Sequence, residues 1–178
     1  MKLNCISMTR KKKILYFIFL SGLLIFLDQA SKTFLINFLK EKPGYMIELM
    51  PMFNIVYAWN YGISFGLFRD YYQYSNYAFL ALNSIIILYL SYLTIKSDSC
   101  LEFLGFCTIV GGALGNLVDR IFRGAVFDFL HFYYEDFSFP AFNLADSFIT
   151  IGAGLLIWKY LFCNHKRISE KTLDDTSN

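Results

Sequence analysis

The sequence is short of charge. Asp, Glu, Lys and Arg make up only 17% of its 178 residues against 56% hydrophobic, and mean hydropathy is +0.44. Those proportions fit a soluble domain poorly and make a bilayer the first solvent to consider. A net charge of +2 without an aromatic-interleaved basic patch argues against nucleic acid as a partner. There are only two histidines, His131 and His165, far apart and in no HExxH pattern, so a metalloprotease is unsupported. The cysteines Cys5, Cys100, Cys107 and Cys163 have neither paired spacing nor a neighbouring histidine. They read as unpaired structural thiols, not as a disulfide framework or a zinc site.

What the chain does have is long apolar runs. A hydrocarbon core of roughly 30 Å needs about 20 apolar residues in a helix, which satisfies its own backbone polar groups. Four stretches approach that length: about 14–39, interrupted by Asp28, Gln29 and Lys32, then about 77–95, 101–121 and 141–162. Arg10 to Lys13 followed by Ile14 to Leu27 also resembles a secretory signal peptide. With no small-x-small cleavage site closing the stretch and three spans following, retention as an anchor is the more economical reading.

Basic residues near span ends are retained on the cytoplasmic side. Lys2, Arg10 to Lys13, Lys96, Lys159, Lys166, Arg167 and Lys171 then lie inside with both termini, while Lys40, Lys42, Arg69 and Arg123 lie outside and Arg120 at the outer edge. Two segments of substance, about 41–76 and 122–140, fall on the outer face, so chemistry is expected there. The stretch Tyr45 to Phe68 reads as a small sheet or strand pair. The aromatic stretch Phe127 to Phe139 suits the headgroup level. Residues 1–168 form one membrane domain in this reading, and 169–178 a disordered cytoplasmic tail.

Ionisable groups in apolar spans need a partner or a purpose. Asp28 and Lys32 are four residues apart on one helical face, as a stabilising charge pair or as part of a site. In GGALGNLVDR, residues 111–120, helical spacing aligns Gly112, Asn116, Asp119 and Arg120. Gly111 and Gly115 alone would signal close helix packing. Asp128 and Asp146 stand among apolar neighbours, with Pro140 placed to open the fourth helix. Two poorly solvated carboxyls can share a proton, one activating water while the other protonates the departing group. Local capping would explain the same residues. On this ground Asp119 is as credible a dyad member as the other two aspartates.

Four blocks in order go further: DQASK at 28–32, NYGISFGLF at 60–68, GGALGNLVDRIFRGAVFDF at 111–129 and FPAFNLADS at 139–147. Over nearly its whole length the chain resembles lipoprotein signal peptidase, also called signal peptidase II. The resemblance implies an all-α membrane enzyme of four transmembrane helices with a small outer-face β-cradle and an interfacial helix, in the bacterial inner membrane. It implies an aspartic endopeptidase with Asp128 and Asp146 as catalytic pair, needing no metal or organic cofactor. Its substrate is implied to be a prolipoprotein cleaved just before a diacylglyceryl-modified cysteine. By the same carry-over Asp119 and Arg120 brace the site, Asn116 and Asn143 hydrogen-bond near the scissile region, and Asp28, Lys32, Asn60, Gly112 and Ala145 line the substrate or inhibitor pocket. Membrane lipid is the expected surrounding and a monomer the expected state. Ser64 departs from the family's usual alanine; a serine nucleophile with Lys32 as base would be the idea it invites. The rival from another class is a noncatalytic transporter or assembly subunit, whose polar residues should continue across the bilayer rather than crowd one half.

Overall fold

The structure, a computed structural model, describes residues 9–62 and 72–163, with the side chains of 72–76 and 163 left out. Ser64, Arg69 and the tail 169–178 lie outside the described residues. Among the described residues four helices are long and apolar enough to cross a membrane: α1 (Arg10–Lys40), α2 (Tyr72–Lys96), α3 (Cys100–Phe122) and α4 (Leu144–Trp158), the last continued by a π-helical turn at Lys159–Cys163. Four strands accompany them: β1 (Met46–Met50), β2 (Phe53–Asn60), β3 (Val126–Tyr134) and β4 (Phe137–Ser138). The architecture is therefore mostly helical with a small antiparallel sheet in the order β1-β2-β3-β4.

The helix ends follow from local chemistry. Thr9 caps α1 and Ser99 caps α3, each hydroxyl accepting a backbone N–H three residues on, which supplies an otherwise orphaned donor with a partner. The fourth span begins later than its proline suggests. Phe142 is held in a bridge to β3, its carbonyl accepting from the N–H groups of Phe129 and Leu130 and its own N–H donating to Leu130. Asn143 is the residue that caps α4, in a capping box with Asp146. Strand pairing wins over Pro140 because it satisfies three backbone groups that a helix opening there would leave to other partners.

The aromatic segment 127–139 is also a strand pair, with Phe127 and Phe129 packed on Ile36 and Leu39 of α1 and the residues from Tyr134 onward exposed. The described residues between α3 and α4 contain no interfacial helix. Among the cysteines, Cys107 is a free buried thiol, whereas Cys100 is disulfide-bonded, which corrects the expectation of four unpaired thiols.

α3 is the central helix. Of its apolar span 56% is buried, against 11–17% for the other three. The outward faces of those three are strongly apolar, with Phe19 68%, Ile85 65%, Leu88 71% and Ile157 58% exposed, a surface suited to lipid and not to water. α3 meets α4 through small residues: a Cβ on Gly112 would fall 2.4 Å from the Ala145 carbonyl oxygen, and one on Gly152 would fall 2.6 Å from that of Gly105. Such contact brings backbones close where dispersion, not water exclusion, drives helix association. At the other end of α1, Ile36 and Leu39 pack with Ile55, Phe127 and Phe129 of the sheet. Beyond α3 the backbone turns into β3 at Gly124, whose φ of 78° lies in the left-handed region that side chains rarely enter. That turn carries Asp128 back over the helix ends.

Candidate active site

Asp128 lies on β3, paired across the sheet with Ala58 of β2, and is 3% exposed. Its Oδ2 accepts from Asn60 Nδ2 at 3.1 Å and its Oδ1 from Asn143 Nδ2 at 2.7 Å. Asp146 stands in the first turn of α4, half-buried; its Oδ1 accepts from Asn116 Nδ2 at 2.8 Å and its Oδ2 from the Asn143 backbone N–H at 3.2 Å. One residue thus touches both carboxyls: Asn143 donates its amide to Asp128 and its main chain to Asp146, while its Oδ1 accepts the Asp146 N–H at 3.0 Å. The bridge of Phe142 to β3 is what brings Asn143 alongside Asp128. Burial pushes the Asp128 carboxyl up to about 6 from 3.8, and the negative charge of Asp146 adds to the rise; the amides of Asn60 and Asn143 and the charge of Lys32 pull the other way.

Behind the two carboxyls is a buried charge network. Lys32 Nζ is 2.8 Å from both Asp28 Oδ2 and Asp119 Oδ2, all three side chains with no exposure, and 3.1 Å from Asn116 Oδ1. Asn116 Oδ1 also accepts from Asn143 Nδ2 at 3.2 Å, so the network joins the dyad through Asn116 and Asn143. Asp28 Oδ1 accepts the Ala145 N–H at 3.0 Å, tying α1 to the start of α4. Asp119 Oδ2 accepts the N–H of Phe127, the residue before Asp128, at 3.2 Å. Buried charges require such pairing and full hydrogen bonding, since a lone one would carry its whole desolvation penalty.

The structure places Asp28, Lys32, Asn116, Asp119, Asn143 and Ala145 in one connected cluster with Asp128 and Asp146. Of the residues expected to line a substrate pocket, Asn60 is exposed, but Asp28, Lys32 and Ala145 have no exposure and Gly112 is buried in the α3–α4 contact. Arg120 is half-buried, its guanidinium 5.4 Å from the Phe79 ring centre and within electrostatic reach of Asp146, Asp128 and Asp119. Sequence reasoning missed Gln29 and Arg123. Gln29 Nε2 donates to Asp119 Oδ1 at 3.0 Å and to the Gly115 carbonyl at 3.1 Å. Arg123 Nη1 is ion-paired with Asp119 Oδ1 and donates to Gln29 Oε1 at 2.8 Å. The four-residue spacing of Asp119 and Arg123 was the available signal. Among the described residues, no group of three or more His, Cys, Asp and Glu is placed to hold a metal ion.

This arrangement has relatives. A model of the family described as signal peptidase (SPase) II matches residues 20–162. The lipoprotein signal peptidase of Rickettsia canadensis (strain McKiel) is 54% identical over 155 residues, covering 87% of this chain and 79% of that protein. That of Rickettsia bellii (strain OSU 85-389) is 53% identical over 152 residues, covering 85% and 77%. A solved bacterial membrane enzyme structure, determined by the in meso method at 2.3 Å resolution, superimposes with a TM-score of 0.69 at 30% identity, covering 83% of this chain and 88% of that one. The four apolar helices are those of a multi-pass membrane protein, and the carboxyl pair held by Asn143 sits in a hydrolase: the chain belongs to the signal peptidase II family.

Proposed function

We propose that this protein is the aspartic endopeptidase that removes the signal peptide of prolipoproteins, cutting just before the diacylglyceryl-modified cysteine, with Asp128 and Asp146 as its catalytic pair. The observation that carries the residue assignment is Asn143, which contacts both carboxyls at once and fixes them on a common centre. Asp146 is the acceptor of a capping box in the first turn of α4, which holds its side chain in one orientation. Asp128, pushed up to about 6, is the partner that holds the shared proton. In the reaction, Asp146 takes a proton from water as the water oxygen attacks the scissile carbonyl carbon. Asp128 gives its proton to the carbonyl oxygen, and the tetrahedral intermediate collapses as a proton passes to the departing amine. Substrate and inhibitor contacts fall to the exposed Asn60 and to the half-buried Arg120, while Asp28, Lys32, Gly112, Asn116, Asp119 and Ala145 hold the carboxyls in place.

The sheet and the dyad lie at the outer face of the bacterial inner membrane, with both termini cytoplasmic and the protein acting as a monomer. The basic residues Arg10 to Lys13 on one side and the aromatic sheet on the other support this orientation. The lipid chains of the substrate then remain in the bilayer while its backbone reaches the carboxyls. Purified protein in detergent or nanodiscs should cleave a lipidated prolipoprotein. Asp128→Asn and Asp146→Asn should each abolish turnover while keeping the wild-type elution volume and thermal transition; cleavage by either folded variant sinks the assignment.

A further inference from the structure

We propose that Arg123 is a positioning residue for peptide hydrolysis, acting on Asp128 through Asp119 and the start of β3. The inference rests on Asp128 being catalytic, as above. Arg123 occupies the C-cap of α3, with its N–H on the Asp119 carbonyl at 2.7 Å. Its guanidinium spans two helices: Nη1 reaches Asp119 Oδ1 on α3 and Gln29 Oε1 on α1, and Nη2 donates to Thr33 Oγ1 on α1 at 3.2 Å. The other oxygen of Asp119 accepts the Phe127 N–H. A planar fork with several donors can hold one carboxylate in a single orientation while also gripping a neighbouring helix; a flexible ammonium cannot. The line from Arg123 through Asp119 to Phe127 therefore fixes the β3 backbone at the residue before Asp128.

Charge balance points the same way. Asp119 lies between two cations, Lys32 on one carboxylate oxygen and Arg123 on the other. With a side chain 24% exposed, Arg123 brings its charge to Asp119 with a smaller desolvation penalty than the fully buried Lys32 bears. The charged groups facing Asp128 are Lys32 from α1, Arg120 from α3 and Asp146 from α4, and Asp119 stands behind them on Lys32. Loss of the Arg123 charge leaves one cation fewer at this end of α3, which works against ionisation of Asp128. A purely structural clamp would have no such effect on proton affinity.

The test is steady-state cleavage of a lipidated prolipoprotein against pH by wild type, Arg123→Met and Arg123→Lys, with Asp128→Asn as the inactive control. In Arg123→Met, kcat should fall by about tenfold or more with KM little changed, as expected for a misplaced reacting group. Its upper pH limb should move up by roughly half a unit to one unit. Arg123→Lys keeps the charge but cannot serve Asp119, Gln29 and Thr33 together, so it should lose part of kcat while keeping the wild-type limb. A wild-type kcat and pH profile in Arg123→Met overturns the proposal, and so does a shifted limb in Arg123→Lys, which also decides the matter if the methionine variant does not fold. Cleavage by Asp128→Asn would instead overturn the dyad on which the proposal stands.

Discussion

Asp128 is the residue whose environment most directly predicts a rate. In the proposed mechanism hydrolysis needs it protonated, and its folded value of about 6 lies above the ordinary 3.8. The acid form is therefore present below about pH 6 and lost as pH rises through that value, so kcat/KM, which reports the free enzyme, should fall along an upper limb near 6. The Asn60 amide favours the carboxylate, pulling that value down. Asn60→Ala removes this donor, and its upper limb should lie at higher pH than that of the wild type. A limb that stays in place or moves lower would show that Asn60 does not set the acidity of Asp128. At this scale the sequence left three aspartates in contention, because a buried carboxylate next to apolar neighbours looks the same whether it brings a proton or braces a helix. The structure separates them by partners: Asp119 is bonded to two cations, whereas Asp128 and Asp146 are bonded to amides and meet at Asn143.

At the scale of elements, the site depends on how closely α3 and α4 approach. Gly112 lies against the Ala145 carbonyl, and Ala145 N–H is bonded to Asp28, so the start of α4 is fixed from two sides. Gly112→Ala would place a Cβ 2.4 Å from that oxygen and force α4 away, carrying Asp146 with it. Activity should drop by about a hundredfold, the scale of loss expected for a displacement near 1 Å. Gly154→Ala, where nothing lies within 4 Å of the added atom, should cleave as the wild type does. Equal activities in the two variants would refute the argument from close approach. The spans themselves were legible from apolar length, and the strand pair expected in 45–68 from its aromatic and β-branched residues, of which 63–68 lie outside the described residues. The start of α4 was misread because Pro140 is a local signal, while the bridge between Phe142 and Leu130 is a long-range one that periodicity cannot reveal.

The whole molecule is a bundle with one end covered by a sheet, and its orientation in the membrane predicts labelling. In a variant stripped of its native cysteines, Asp136→Cys in the exposed turn between β3 and β4 should react with a membrane-impermeant maleimide in intact spheroplasts. Lys12→Cys at the exposed start of α1 should react only after the membrane is opened. The reverse pattern would invert the proposed topology. That the chain enters a membrane was determined by the sequence, since hydrophobic length and the scarcity of charge are properties of composition and order alone. The carboxyl pair was named from motif blocks, not from physics. What only the tertiary structure decided is which polar side chains meet: Asn143 reaching both carboxyls, Lys32 between two aspartates, and Arg123 clamping α1 to α3. These contacts join residues up to 94 positions apart, and their geometry depends on helix spacing and sheet register, which no local pattern in the chain encodes.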